Sequence, residues 1–192
     1  MATEKSNQFH LIMAFILFSI MIRVAIPPFF NAIPNFSPID AIALFSGAYF
    51  NKRFTALMTT FLSVWAGDLF INKMLFGHWV LFYPGFYWQY ACYFIMTLLG
   101  IRLVNKIKVS SLITTSITCS ILFFIVSNFG VWLNGTLYPF SINGLAACYI
   151  AAIPFFKTTV ISDLLFSFIL FGTFELLTIK PNHLMQARYR HY

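Results

Sequence analysis

The chain reads as long apolar runs separated by short polar or proline-marked breaks. A run of about 20 apolar residues crosses a hydrocarbon core of about 30 Å as an α-helix, a geometry that satisfies every backbone polar group internally. Six such spans are predicted. The first covers about 9–26 and is closed by Pro27-Pro28, and the uncharged stretch that follows holds four of the eight prolines between Pro27 and Pro38. The second, about 38–50, opens at Ser37-Pro38, a capping residue followed by proline at the first helical position. It is short for a full crossing and must tilt or start below the interface. The third covers about 54–71, the fourth lies within 80–104 with Pro84-Gly85 blurring its start, the fifth covers 112–133, and the sixth covers about 155–179, between Pro154 and Pro181. Residues 136–153 are moderately apolar but broken by Pro139 and Gly144, which fits a re-entrant or surface-lying segment. The residue-by-residue alternation of a membrane barrel strand is absent. The expected fold is an all-α, single-domain membrane bundle of six helices over residues 1–192, with a basic tail at 180–192.

Composition agrees: 60% apolar, 20% aromatic and only 9% charged, far from the balance of a soluble domain. Charge then orients the bundle. With the N-terminus inside, Lys5, Lys52, Arg53, Arg102, Lys106, Lys108, Lys180, Arg188 and Arg190 fall on the cytoplasmic side, leaving Arg23, Lys73 and Lys157 outside. This bias places both termini in the cytoplasm and requires an even number of crossings. The net charge of +7 is thereby absorbed by loop asymmetry and lipid headgroups, with no role for nucleic acid. The first run is too long for a signal-peptide core and lacks a small-x-small cleavage site before Pro27, so it reads as a retained anchor. Cys92, Cys119 and Cys148 lie in apolar surroundings without paired spacing, which argues against a disulfide framework.

Candidate chemistry lies in the few ionisable residues. Asp40, Asp68 and Asp163 map toward the outer ends of their spans, at the level of Arg23, Lys73 and Lys157, and ionisable groups at membrane depth mark function by default. Asp40 and Asp163 are expected in the first turns of spans two and six, where the helix dipole favours an anion. Asp68 faces an opposing dipole and needs a partner, with Arg23 and Lys73 as candidates. Trp65 stands one turn from Asp68 on the same face. The outer level is also rich in aromatics, including Trp79, Tyr87, Trp88, Tyr90, Tyr93 and Trp132. These suit either an interfacial belt or the walls of a pocket for a flat organic ligand. Cys92, about two turns into span four, lies below them and is either a small buried hydrophobe or a group reaching a ligand from beneath. Nucleotide-binding, zinc-protease and serine-hydrolase signatures are missing, and His10, His78, His183 and His191 are too scattered for a metal site.

Several segments carry a resemblance: Asn35-Phe36-Ser37-Pro38-Ile39-Asp40 continuing to Phe50; Gly67-Asp68-Leu69; Ser127-Asn128-Phe129-Gly130-Val131-Trp132-Leu133 with Tyr138-Pro139; and Cys148 to Lys157 with Asp163-Leu164-Leu165. From Arg23 to about Leu177 the chain resembles a family of small bacterial inner-membrane proteins similar to the S components of energy-coupling-factor vitamin transporters, nearest the solitary cobalamin-transporting S components. The resemblance implies a six-helix bundle with an outer ligand cavity, uptake of a vitamin, cobalamin or a related corrinoid, and Cys92 as the cobalt ligand, a soft thiolate suiting such a metal. It also implies a possible energy-coupling ATPase module as partner. Lys157 stands where that family usually carries arginine, and span one lacks the Ala-x-x-x-Ala docking pattern, whereas Ala43 and Gly47 form a small-x-x-x-small pair suited to packing within the bundle.

The expectation is therefore a carrier without a resident cofactor that takes up a small organic nutrient, its pocket lined by Asp68, Trp65, Trp132, Lys157, Asp163, Asp40, Tyr90 and Asn128. With no ATP site in the chain, the energy must come from a partner ATPase module, a gradient or facilitated diffusion. Two rivals stand beside it: a membrane-embedded enzyme acting on lipid or isoprenoid through its three aspartates, and a ligand-free assembly subunit.

Overall fold

A short helix buried on every side organises the bundle. The computed structural model describes residues 17, 18, 20, 21, 35–50, 52–103 and 108–178, and among them the chain forms five helices and no strand. These are α1 (Ile39–Tyr49), α2 (Arg53–Phe76), α3 (Phe86–Leu103), α4 (Val109–Leu133) and α5 (Ile142–Thr178). Three of them, α2, α4 and α5, are long and apolar enough to cross a membrane. The first predicted span lies largely outside the described residues, although Leu17, Phe18, Ile20 and Met21 are helical. Arg23 and the basic tail lie outside them altogether.

Helix α1 is apolar apart from Asp40 and Ser46, and its residues from Ile39 to Ala48 are all buried, as expected of a helix surrounded by protein. Its 11 residues extend about 16 Å, half of a hydrocarbon core of about 30 Å. The helix begins one residue later than the capping pattern predicts. Pro38 is the N-cap, and Ser37 Oγ accepts the Ile39 N–H at 3.4 Å.

Small residues bring α1 against α3. A Cβ added at Gly47 would stand 2.0 Å from the Thr97 carbonyl oxygen, and one added at Gly100 would stand 2.1 Å from that of Leu44. The two backbones thus touch through reciprocal glycines, the packing that small-x-x-x-small spacing provides where lipid removes the hydrophobic drive between helices. Ala43, Leu44, Cys92, Met96 and Phe171 complete the core around this contact. Helix α2 ends at Gly77, whose φ of 73° and N–H bond to Lys73 O close its last turn. In α4, Thr114, Thr115, Thr118 and Ser127 each donate a hydroxyl to a carbonyl four residues back, which satisfies polar side chains on an otherwise apolar helix.

The largest departure from the expected elements is α5. Residues 142–153, read as a separate segment, are continuous with the following helix, giving 37 residues with Pro154 inside. Its length of about 55 Å exceeds the hydrocarbon core. Proline lacks one N–H, yet the remaining hydrogen bonds on both sides carry the helix through, as in other apolar helices.

Candidate functional site

Two candidate sites stand out, a polar centre within the bundle and a largely apolar open cleft between two helices. The first joins α1, α4 and α5. Asp40, 7% exposed, stands in the first turn of α1. Asp163, 2% exposed, lies far from either end of α5, so the first-turn placement expected for it does not hold and its own helix termini do not stabilise its charge. The two carboxyls are within side-chain hydrogen-bonding reach of one another. Ser120 Oγ on α4 donates to Asp163 Oδ2 at 2.5 Å, while Asp163 Oδ1 is buried with no hydrogen-bond partner among the described residues. One turn along both helices, Ser116 Oγ donates to Ser167 Oγ at 3.0 Å. Cys92 on α3 lies within electrostatic range of Asp40, and Cys119 on α4 within range of both carboxyls.

The depth of this centre follows from helical rise. Lys52, Arg53, Arg102 and Lys108 cluster at one end of the bundle, here termed the basic end, to which the C-terminus of α5 is tied by a bond from Tyr49 Oη to Glu175 Oε1 at 2.5 Å. Counted from that end, Asp40, Cys92, Ser120 and Asp163 lie about 14–22 Å along their helices. In a bilayer with a core of about 30 Å, that is close to the midplane rather than the outer rim. An uncompensated carboxylate at such a position costs several kcal/mol.

The second site lies between α2 and α3. Leu57, Phe61, Val64, Phe86, Tyr87, Ala91 and Phe94 are among the residues lining a cleft of about 340 Å³. Thr60 and Thr97 stand on its wall with their hydroxyls 3.0 Å apart, and these donate to Ala56 O and Tyr93 O, which leaves oxygen lone pairs free to accept. Tyr90, also on the wall, donates its phenol to Asp68 Oδ2 at 2.6 Å.

The predicted pocket residues therefore separate. Asp40 and Asp163 come together, Asp68 and Tyr90 come together, and Cys92 packs beside the first pair with no exposed surface. Trp65 is half-buried on α2, its Nε1 unpartnered among the described residues. Trp132 stacks on Phe140 at 4.5 Å and donates to Pro139 O, at the far end of α4. Asn128 donates its side-chain amide to Phe124 O, and its carbonyl accepts the Cys148 thiol. Lys157 is exposed on α5, about 240° around the helix from Asp163. Lys73, a candidate partner for Asp68, donates instead to Gly77 O and lies 5.9 Å from the Trp79 ring.

Ser116, Ser120, Ser167, Thr60, Thr97 and Glu175 were not singled out by sequence reasoning. A partial signal exists for two of them: Thr159, Asp163, Ser167 and, beyond Phe171, Glu175 recur at four-residue spacing along α5. No three His, Cys, Asp or Glu side chains among the described residues are grouped to hold a metal ion.

No curated protein and no solved structure matches the chain. Residues 3–186 match, and the chain therefore belongs to, the DUF6580 family, a family of unknown function.

Proposed function

We propose that the protein is a multi-pass carrier of the bacterial inner membrane, with its basic end in the cytoplasm, that binds a small organic solute in the manner of a transporter S component. The observation that carries this reading is the cleft between α2 and α3. Its aromatic walls, its two threonine oxygens and the Tyr90–Asp68 bond supply the apolar surface and few polar groups that fix a small ligand. Its volume of about 340 Å³ is at the lower end of the usual range of about 300–1,000 Å³ for ligand pockets. A flat solute with hydrogen-bond donors at one edge suits it.

The corrinoid implied by resemblance is bulkier, and Cys92 has no exposed surface through which to reach cobalt. For that ligand the bundle must open around α3.

The test is to purify the protein in mild detergent and identify by mass spectrometry what is released on unfolding, comparing wild type with Ala91→Trp. Ala91 lines the cleft and is exposed, so the larger ring fills the space without touching the core. The proposal predicts a small molecule retained by wild type and lost from the variant. Equal retention by both places binding elsewhere. A preparation that is empty, remains empty with added vitamins, and associates stably with another membrane protein supports an assembly subunit, and metal-dependent turnover of a lipid supports an enzyme.

A further inference from the structure

The carboxyl pair in the middle of the bundle has no part in the cleft. Two carboxylates accept hydrogen bonds and donate none, so contact between Asp40 and Asp163 is bonded only when a cation lies between them. Among the described residues neither has a lysine, arginine or histidine partner, and Asp163 Oδ1 is left without a donor in a place that water does not reach. The neighbouring groups are Cys92 from α3, within electrostatic range of Asp40, Cys119 from α4, within range of both acids, and Ser120 from α4, bonded to Asp163. None of the three neighbouring side chains supplies a positive charge. Among the described residues no three His, Cys, Asp or Glu side chains are grouped to hold a metal ion. We infer that Asp40 and Asp163 together bind one exchangeable proton at mid-membrane, with Ser120 fixing the geometry of the acceptor.

A route to this site is built into α5. Ser120 and Asp163 are followed, one turn nearer the basic end, by the Ser116–Ser167 hydroxyl pair, and Glu175 bonded to Tyr49 lies at that end. Between the two polar levels stands Phe171, 2% exposed and packed edge-on against Phe45 at 5.3 Å. The file of polar groups is therefore interrupted at one turn by a buried ring. Rotation of that ring lets water enter from the basic end. The pair as a carboxylate and an acid then gives its proton to water as hydronium and regains it from the same side. Neither the site nor the route rests on the solute-carrier reading.

Infrared spectroscopy of the purified full-length protein tests the two separately. At neutral pH the wild type should show the carbonyl stretch of a protonated carboxylic acid, shifted on transfer to D2O. The band should move in Asp40→Asn, in Asp163→Asn and in Ser120→Ala, and be lost from the Asp40→Asn/Asp163→Asn double variant, whose amides preserve shape and supply a donor. The Phe171→Ala variant should exchange the band faster than wild type, and Ser167→Ala more slowly. Absence of the band in wild type, an unchanged band in the double variant, or single substitutions that leave it unmoved each overturn the site. Exchange rates equal to wild type in both Phe171→Ala and Ser167→Ala overturn the route. A single variant that does not fold leaves the other two single variants and the double variant to decide, because thermal unfolding separates folding from protonation. Solute retention is not read in this experiment, so failure of the proton site and failure of the carrier reading remain distinct.

Discussion

Replacing Gly47 or Gly100 by alanine should weaken the fold by forcing α1 and α3 apart. At Gly47 the new Cβ would stand 2.0 Å from Thr97 O and 2.9 Å from Ile101 N, and at Gly100 it would stand 2.1 Å from Leu44 O. Ordinary contact begins at 3.4 Å. The two helices must therefore part by about 1.4 Å at the Gly47 contact. A gap of 0.5–1 Å already forfeits about a quarter to a half of each dispersion contact along the seam. The obstructing atoms are backbone, which has no rotamer by which to yield. Overpacking of a core costs roughly 1–3 kcal/mol, and this site belongs at the upper end. At about 2–4 °C per kcal/mol for a chain of this size, the midpoint should fall by roughly 6–12 °C. Gly172 is the internal control. A Cβ there meets nothing within 4 Å, so Gly172→Ala should gain roughly 0.5–1 kcal/mol of helix propensity. The buried thiols provide the assay, because a thiol-reactive fluorogenic dye reports their exposure during a thermal ramp in detergent. A midpoint for Gly47→Ala and Gly100→Ala within a degree or two of wild type would refute the close α1–α3 contact.

The same thiols make a second prediction: Cys92, Cys119 and Cys148 should resist a polar maleimide in the folded protein and react after denaturation, whereas prompt labelling of Cys92 requires an open chamber beside α3. Gly130→Ala should cost less than the α1–α3 glycines, about 1 kcal/mol, because its Cβ meets the Trp88 side chain at 2.4 Å and that ring can turn; a melt as low as that of Gly47→Ala contradicts this ranking. Tyr90→Phe removes the donor to Asp68 Oδ2 and leaves a buried carboxyl oxygen short of one bond, so it should destabilise by about 1–3 kcal/mol in the same thermal assay; an unchanged midpoint means that Asp68 is held by other groups.

Helices were legible from the sequence where apolar length and breakers agree. The runs that became α2 and α4 were found because Lys52-Arg53 and Asn134-Gly135 bound them, while α1 was correctly read as too short for a full crossing. Pro154 misled: a breaker in isolation, it sits inside a continuous α5 whose neighbouring backbone bonds survive. That error displaced Asp163. Counting from Phe155 places Asp163 in a first turn with a favourable dipole, whereas counting from Ile142 places it in the interior of the helix, where only a side chain across the bundle can answer it. The pairing of Asp40 with Asp163 spans more than a hundred residues and is set by how α1 and α5 pack, which no local pattern encodes. Trp132, Asn128 and Lys157 were grouped with the acids by their apparent height alone, and height carries no information about which way a side chain points around its helix. The charge asymmetry proved more durable, since Lys52, Arg53, Arg102 and Lys108 do gather at one end of the described bundle.

The most direct test of the carrier reading is the comparison of small molecules released from purified wild type and Ala91→Trp. One organic solute should be retained by the wild type and lost when the cleft is filled, with the thermal midpoint unchanged. Retention of the same solute at the same level in a stable Ala91→Trp protein contradicts it.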